Sequence, residues 1–151
     1  ADAMESFFKH LHEKMTVSGI PTSADLFGMT TTNSDDLGIG QVLEKALPYF
    51  DFIAPMIYPS HYPPNYNGFK NPAEHPYEIV TIAMKKGIER AAALGMAPTK
   101  FRPWIQDFDL GAKYTESMVR DQIKALEELG ITSYMVWDPG NSYTVAAYDK
   151  E

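Results

Sequence analysis

Residues 52–58, Phe-Ile-Ala-Pro-Met-Ile-Tyr, form an unbroken apolar run of strand length. With no polar residue at alternate positions, the run predicts a strand buried on both faces, as strands of parallel sheets are. We place this strand at 51–58, although Pro55 fits poorly there because proline donates no ladder bond and favours edges or bulges. Upstream, residues 41–50 carry Val42, Leu43, Ala46 and Leu47 as a short helix that Pro48 bends or stops. Before it, residues 20–27 (IPTSADLF) read as a strand too brief for a helix, followed by Gly28 and a polar loop over 30–36. Residues 2–18 space Met4, Phe7, Phe8, Leu11 and Met15 as a helix does, and Gly19 suits a left-handed stop.

Downstream of the decisive run, residues 59–76 form a loop rich in Pro, Asn, Tyr and Gly, of a length that usually signals function in a compact domain. A helix is expected over 76–94, with Pro76 in its first turn and Gly95 as its stop. Residues 101–108 (FRPWIQDF) read as the third strand. Thr115 suits the N-cap of a helix carrying Met118, Val119, Ile123, Leu126 and Leu129 and ending at Gly130. Residues 131–137 (ITSYMVW) read as the fourth strand, and Asp138-Pro139-Gly140-Asn141 as an abrupt turn.

The order is a helix, then strand and helix three times, then a strand, at the spacing of βαβ units. The expectation is an α/β fold with four parallel strands alternating with helices. Helix-to-strand turns are short, whereas the polar and aromatic loops follow the strands, which is the asymmetry of a TIM (β/α)₈ barrel with its site on the C-terminal face. Four strands do not close a barrel, and a complete one takes about 200–250 residues. We therefore read residues 1–151 as a single domain forming the C-terminal half of such a barrel, its edges and interior covered by a missing N-terminal half-barrel in the same polypeptide or a second chain. The alternative on pattern alone is an independent open four-stranded α/β domain.

The 151-residue chain has 13 Lys and Arg against 20 Asp and Glu, a formal net charge of −7, and no cysteine. Dispersed basic residues in an acidic chain argue against a nucleic-acid partner. Absence of cysteine excludes disulfides, thiolate metal sites and a cysteine nucleophile. No apolar run approaches the roughly 18–20 residues of a membrane span, and the first residues lack the pattern of a signal peptide. An extracytoplasmic or cell-envelope location is expected if the full-length chain carries a signal or anchor. Neither HExxH, a Walker loop nor GxGxxG occurs, and His10 and His12 face different sides of their helix, so no metal and no cofactor is expected.

Carboxylates collect toward the strand ends: Asp25 near the end of the first, Asp107 and Asp109 after the third, Asp138 after the fourth. Glycosidic hydrolysis needs two carboxyl groups across the scissile bond, and Asp25, Asp107 and Asp138 are the candidate catalytic residues. For any one of them, capping a helix or closing a turn is the commoner role. Tyr58, His61, Tyr62, Trp104 and Trp137 offer faces for sugar C–H surfaces, and Gln106 and Asn141 offer amides for hydroxyl pairs. Asp35 and Asp36 read as turn residues, and His75 as a helix-entry residue.

The segments SADLFG (23–28), DDLGIGQ (35–41), DFIAPMIYPSHY (51–62), KNPAEHPYEIV (70–80), RPWIQDF (102–108) and VWDPGNSYT (136–144) carry a resemblance that spans nearly the whole chain. They resemble the C-terminal half of a glycoside hydrolase family long known only as a domain of unknown function. The resemblance implies a TIM barrel related to α-amylase and α-galactosidase-type hydrolases, with these segments as its fifth to eighth strands and an oligo- or polysaccharide as its partner. It further implies a nucleophilic Asp in a Phe-Asp-Tyr-type motif after the fourth strand, which has no counterpart before Asp25. The expected function is hydrolysis of glycosidic bonds, incomplete in this chain. The alternative is a non-catalytic carbohydrate-binding or cell-wall-associated module of bacterial type.

Overall fold

The computed structural model describes residues 1–148, so the expected domain span reaches residues 149–151, which lie outside the described residues. Its principal elements are α1 (Asp2–Thr16), β1 (Ser23–Phe27), α2 (Leu43–Ala46), β2 (Phe52–Met56), α3 (Pro76–Ala92), β3 (Trp104–Gln106), α4 (Glu116–Glu128) and β4 (Met135–Trp137). The strands form one sheet in the order β1-β2-β3-β4, and every neighbouring pair is parallel. The protein is thus α/β, with four parallel strands alternating with helices. Among the described residues, the outer edges of β1 and β4 have no strand partner.

Helix limits follow local chemistry. The Thr115 hydroxyl accepts the amide of Met118 at 3.4 Å and so caps α4. At the other end Gly130 has φ +75°, and the amide of Ile131 returns to the Leu126 carbonyl at 3.0 Å. That six-to-one closure needs a left-handed residue, which glycine supplies without steric cost.

The strands are shorter than their apolar runs, and Pro55 explains part of the difference. The Arg102 amide donates to the Ile53 carbonyl at 2.9 Å, and the Ile57 amide to the Trp104 carbonyl at 3.1 Å. Pro55 lies between these two rungs, on the same edge of β2, and has no N–H to give. Pairing between β2 and β3 accordingly shrinks to Met56 with Trp104 and an isolated bridge of Ile53 with Phe101. The proline sits inside the sheet and leaves a gap there.

Alternation divides the sheet into two unlike faces. Leu26, Ile53, Ile57 and Ile105 are at most 1% exposed and share one core with Ile79 and Met84 of α3 and Val119 and Ile123 of α4. Each such side chain contributes roughly 1.5–3 kcal/mol by leaving water. The register places Asp25 beside Ala54, Phe27 beside Met56, Met56 beside Trp104, and Gln106 beside Trp137, all on the opposite face.

Candidate active site

On that second face Asp25, Met56, Tyr58, Trp104 and Trp137 line a hollow of about 290 Å³. Each side chain arrives by the same rule. Residues 56 and 58 share the parity of β2 that faces away from the helices, residue 104 pairs with 56, and residue 137 lies two positions beyond the partner of 104. The Trp104 indole donates from Nε1 to Oδ1 of Asp25 at 3.0 Å. Trp104 and Trp137 meet edge to face, with centroids 6.0 Å apart and planes at 87°. Trp137 is 42% exposed, so its ring is open to a ligand.

Tyr58 is 6% exposed. Burial, reinforced by the negative charge of Asp25, pushes its phenol up to about 12. The hydroxyl therefore stays protonated through the neutral range and can donate a hydrogen bond. The Tyr58 ring is backed edge-on by His61 at 5.1 Å and Phe108 at 5.5 Å. Burial also holds the His61 imidazole below the ordinary histidine value, favouring its neutral form.

The structure brings Asp25, Tyr58, Trp104 and Trp137 together, with His61 behind Tyr58, and places the other expected residues elsewhere. Asp107 has the parity of Ile105, away from the hollow, and is 4% exposed. Its carboxylate accepts the Thr144 amide at 2.6 Å, the Thr144 hydroxyl at 2.7 Å and the Tyr148 phenol at 2.8 Å. Asp138 closes a turn through Oδ1 to the Gly140 amide at 2.5 Å, and the Asn141 amide donates to the Asp138 carbonyl at 3.1 Å. Asn141 itself is left-handed, with φ 54°.

Gln106 is fully buried. Its Oε1 accepts the Ser60 amide at 3.1 Å and its Nε2 donates to the Phe108 carbonyl at 2.9 Å, tying the loop after β2 to the loop after β3. Gln122 of α4 completes the network by accepting the Gln106 amide and donating to its carbonyl. Tyr62 is 4% exposed, belongs to the core, and lies under Tyr66 with centroids 4.8 Å apart. The Gln106 amide and the Tyr62 ring are thus both taken up inside the protein.

Two contributors were absent from the sequence reading. Met56 lines the hollow; it lies two residues before Tyr58, so the period of a strand was enough to find it. Phe108 supports Tyr58 from a different loop, and no local pattern signals that contact.

Among the described residues, no helix is long and apolar enough to cross a membrane. Residues 1–143 match a family model described as "Putative glycosyl hydrolase domain". No curated protein matches the chain.

Proposed function

From the premise that the chain belongs to the family so described, we propose that it supplies one wall of a carbohydrate-cleaving site and forms the C-terminal half of a (β/α)₈ barrel. The observation that carries this reading is the hollow lined by Asp25, Tyr58, Trp104 and Trp137, in which the Trp104 indole donates to the Asp25 carboxylate. A carboxylate beside two aromatic faces and a protonated phenol fits a sugar ring: apolar C–H surface against indole, hydroxyls toward Tyr58, and the glycosidic oxygen or anomeric carbon toward Asp25. The parallel sheet, whose outer edges have no strand partner among the described residues, and the rings on its face away from the helices support the half-barrel.

Of the three candidate carboxylates, we assign the reacting group to Asp25, as acid or electrostatic partner of a second carboxylate from the other half of the barrel. Asp107 acts at one remove, by fixing the segment after β4 through Thr144 and Tyr148. Asp138 shapes the turn that follows Trp137. Tyr58, Trp104 and Trp137 form the sugar subsite, and His61 and Gln106 position Tyr58 and its loop.

The test uses the complete barrel and a glycan that it hydrolyses. Asp25→Asn should lower kcat by about 10²–10⁴-fold, the usual worth of a positioned proton-transfer group, while binding persists. Near-normal turnover of that variant would remove Asp25 from the reaction. A complete barrel that binds a glycan but turns over none of a broad panel would favour the non-catalytic carbohydrate-binding alternative.

A further inference from the structure

A separate groove of about 460 Å³ runs along the outer side of α3, where Lys85, Lys86 and Glu89 face Asn33 of the loop after β1 and Tyr66 and Asn67 of the loop after β2. None of these residues lines the hollow around Asp25. Both loop walls are fixed in advance. The Asn33 carbonyl accepts Nη1 of Arg90 at 2.7 Å, and the same nitrogen binds the Thr30 carbonyl at 2.6 Å. Opposite, Tyr66 is bridged to Phe69, with the Phe69 amide donating to the Tyr66 carbonyl at 3.0 Å. Asn65 and Asn67 are held left-handed at φ 65° and 49°, a conformation that non-glycine residues seldom adopt. The Tyr66 ring rests on buried Tyr62. A ligand entering this groove would have little to order, which favours binding.

The groove presents one aromatic face, two side-chain amides and an excess of positive charge. Lys86 pairs with Glu89 at 3.3 Å, and among the described residues Lys85 has no ion-pair partner. A spare ammonium is notable in a chain of net charge −7. Ring and amides suit a polyhydroxylated ring, and the ammonium suits a carboxylate on it. We propose that this groove is a second carbohydrate site, distinct from the hollow, that takes saccharides carrying uronic acid residues. The proposal rests on the carbohydrate-binding part of the functional reading and not on hydrolysis.

Trigalacturonate is the probe and cellotriose its uncharged counterpart, each titrated into the full chain and followed by backbone NMR and tryptophan fluorescence. The chain's two tryptophans both line the hollow, so fluorescence reports that site and is blind to the groove. Trigalacturonate should shift the amides of Asn33, Asn67 and Lys85 and leave fluorescence unchanged. Its affinity should fall at least about tenfold, or roughly 1.4 kcal/mol, in both Lys85→Gln and Tyr66→Ala, fall with added salt, and survive Trp104→Ala. Lys85 is exposed, so its substitution leaves the fold intact. Equal binding of cellotriose at the groove, indifference to Lys85→Gln, or absence of trigalacturonate binding at millimolar concentration would each overturn the proposal. Trigalacturonate binding that quenches fluorescence and is lost in Trp104→Ala would overturn it too, while leaving the hollow as a sugar site.

Discussion

Trp104 and Asp25 lie 79 positions apart in sequence, yet the indole Nε1 of one donates to the carboxylate of the other at 3.0 Å. They sit on strands separated by β2, so the contact spans the sheet face turned away from the helices and fixes one carboxylate oxygen beside the aromatic wall. Trp104→Phe keeps a ring and deletes the donor. Under the proposed function, Trp104→Phe in the complete barrel should lower kcat by about tenfold with little change in KM, whereas Trp104→Ala should raise KM as well. An equal effect of both variants on KM and kcat would show that the indole donor has no separate role.

Asp107 gathers three donors from Thr144 and Tyr148. Asp107→Ala should cost about 3 kcal/mol, since hydrogen bonds to a charged acceptor are worth roughly 1.5–3 kcal/mol and their loss leaves donors unsatisfied. Denaturant unfolding measures the loss, and hydrogen exchange at the Thr144 amide locates it. Unchanged protection of that amide would contradict a role for Asp107 in fixing the segment after β4.

Glu44 receives both Nε and Nη2 of Arg90, the latter at 2.5 Å. The hydrogen bonds from the Arg90 guanidinium hold the Glu44 carboxyl below the usual glutamate value, outweighing the upward push of partial burial. A depressed carboxyl stabilises the fold fully above its unfolded pKa, about 4.3, and loses that contribution as pH falls through the folded value. Glu44→Gln should therefore be less stable than the native chain at neutral pH, and the gap should close in acid. A gap that is constant between pH 7 and 3 would contradict this linkage.

Gly28, the residue after β1, passes so close to β2 that an added Cβ would lie 2.2 Å from the Met56 carbonyl oxygen. Backbone cannot yield as a flexible side chain does. Gly28→Ala should destabilise by about 1–3 kcal/mol or more, read as a lower denaturant midpoint. An unshifted midpoint would mean that the two strands can part at no cost.

Both tryptophans of the chain line one hollow. A saccharide that enters it should change intrinsic fluorescence, and Trp137→Phe, which removes the more exposed ring, should take most of that change away. Retention of the full signal in Trp137→Phe would place the ligand away from the exposed wall.

Much of the fold was legible because its signals are local. The spacing of Val119, Ile123 and Leu126, the hydroxyl of Thr115 and the stop at Gly130 each act within a few residues, and together they define α4. The apolar run at 52–58 and the alternation of helices and strands foretold a parallel sheet for the same reason. Strand ends were less legible, because pairing depends on the neighbour: Pro55 leaves β2 continuous along β1 yet cuts its pairing with β3 to Met56 and Trp104.

The sequence alone determined which residue types stand at the strand ends, and the two-residue period then determined that Met56 and Tyr58 share a face. Only tertiary structure decided which of those groups remain available. Asp25 and Asp107 are the same side chain, one within β1 and the other directly after β3. One meets a single indole across the sheet face, and the other is taken up by donors 37 and 41 positions away. Gln106 likewise spends its amide on Ser60, 46 positions distant, and on Phe108. A carboxylate or amide can bind a ligand only with lone pairs and protons that the protein leaves unused, and that remainder depends on long-range packing, which no local pattern encodes.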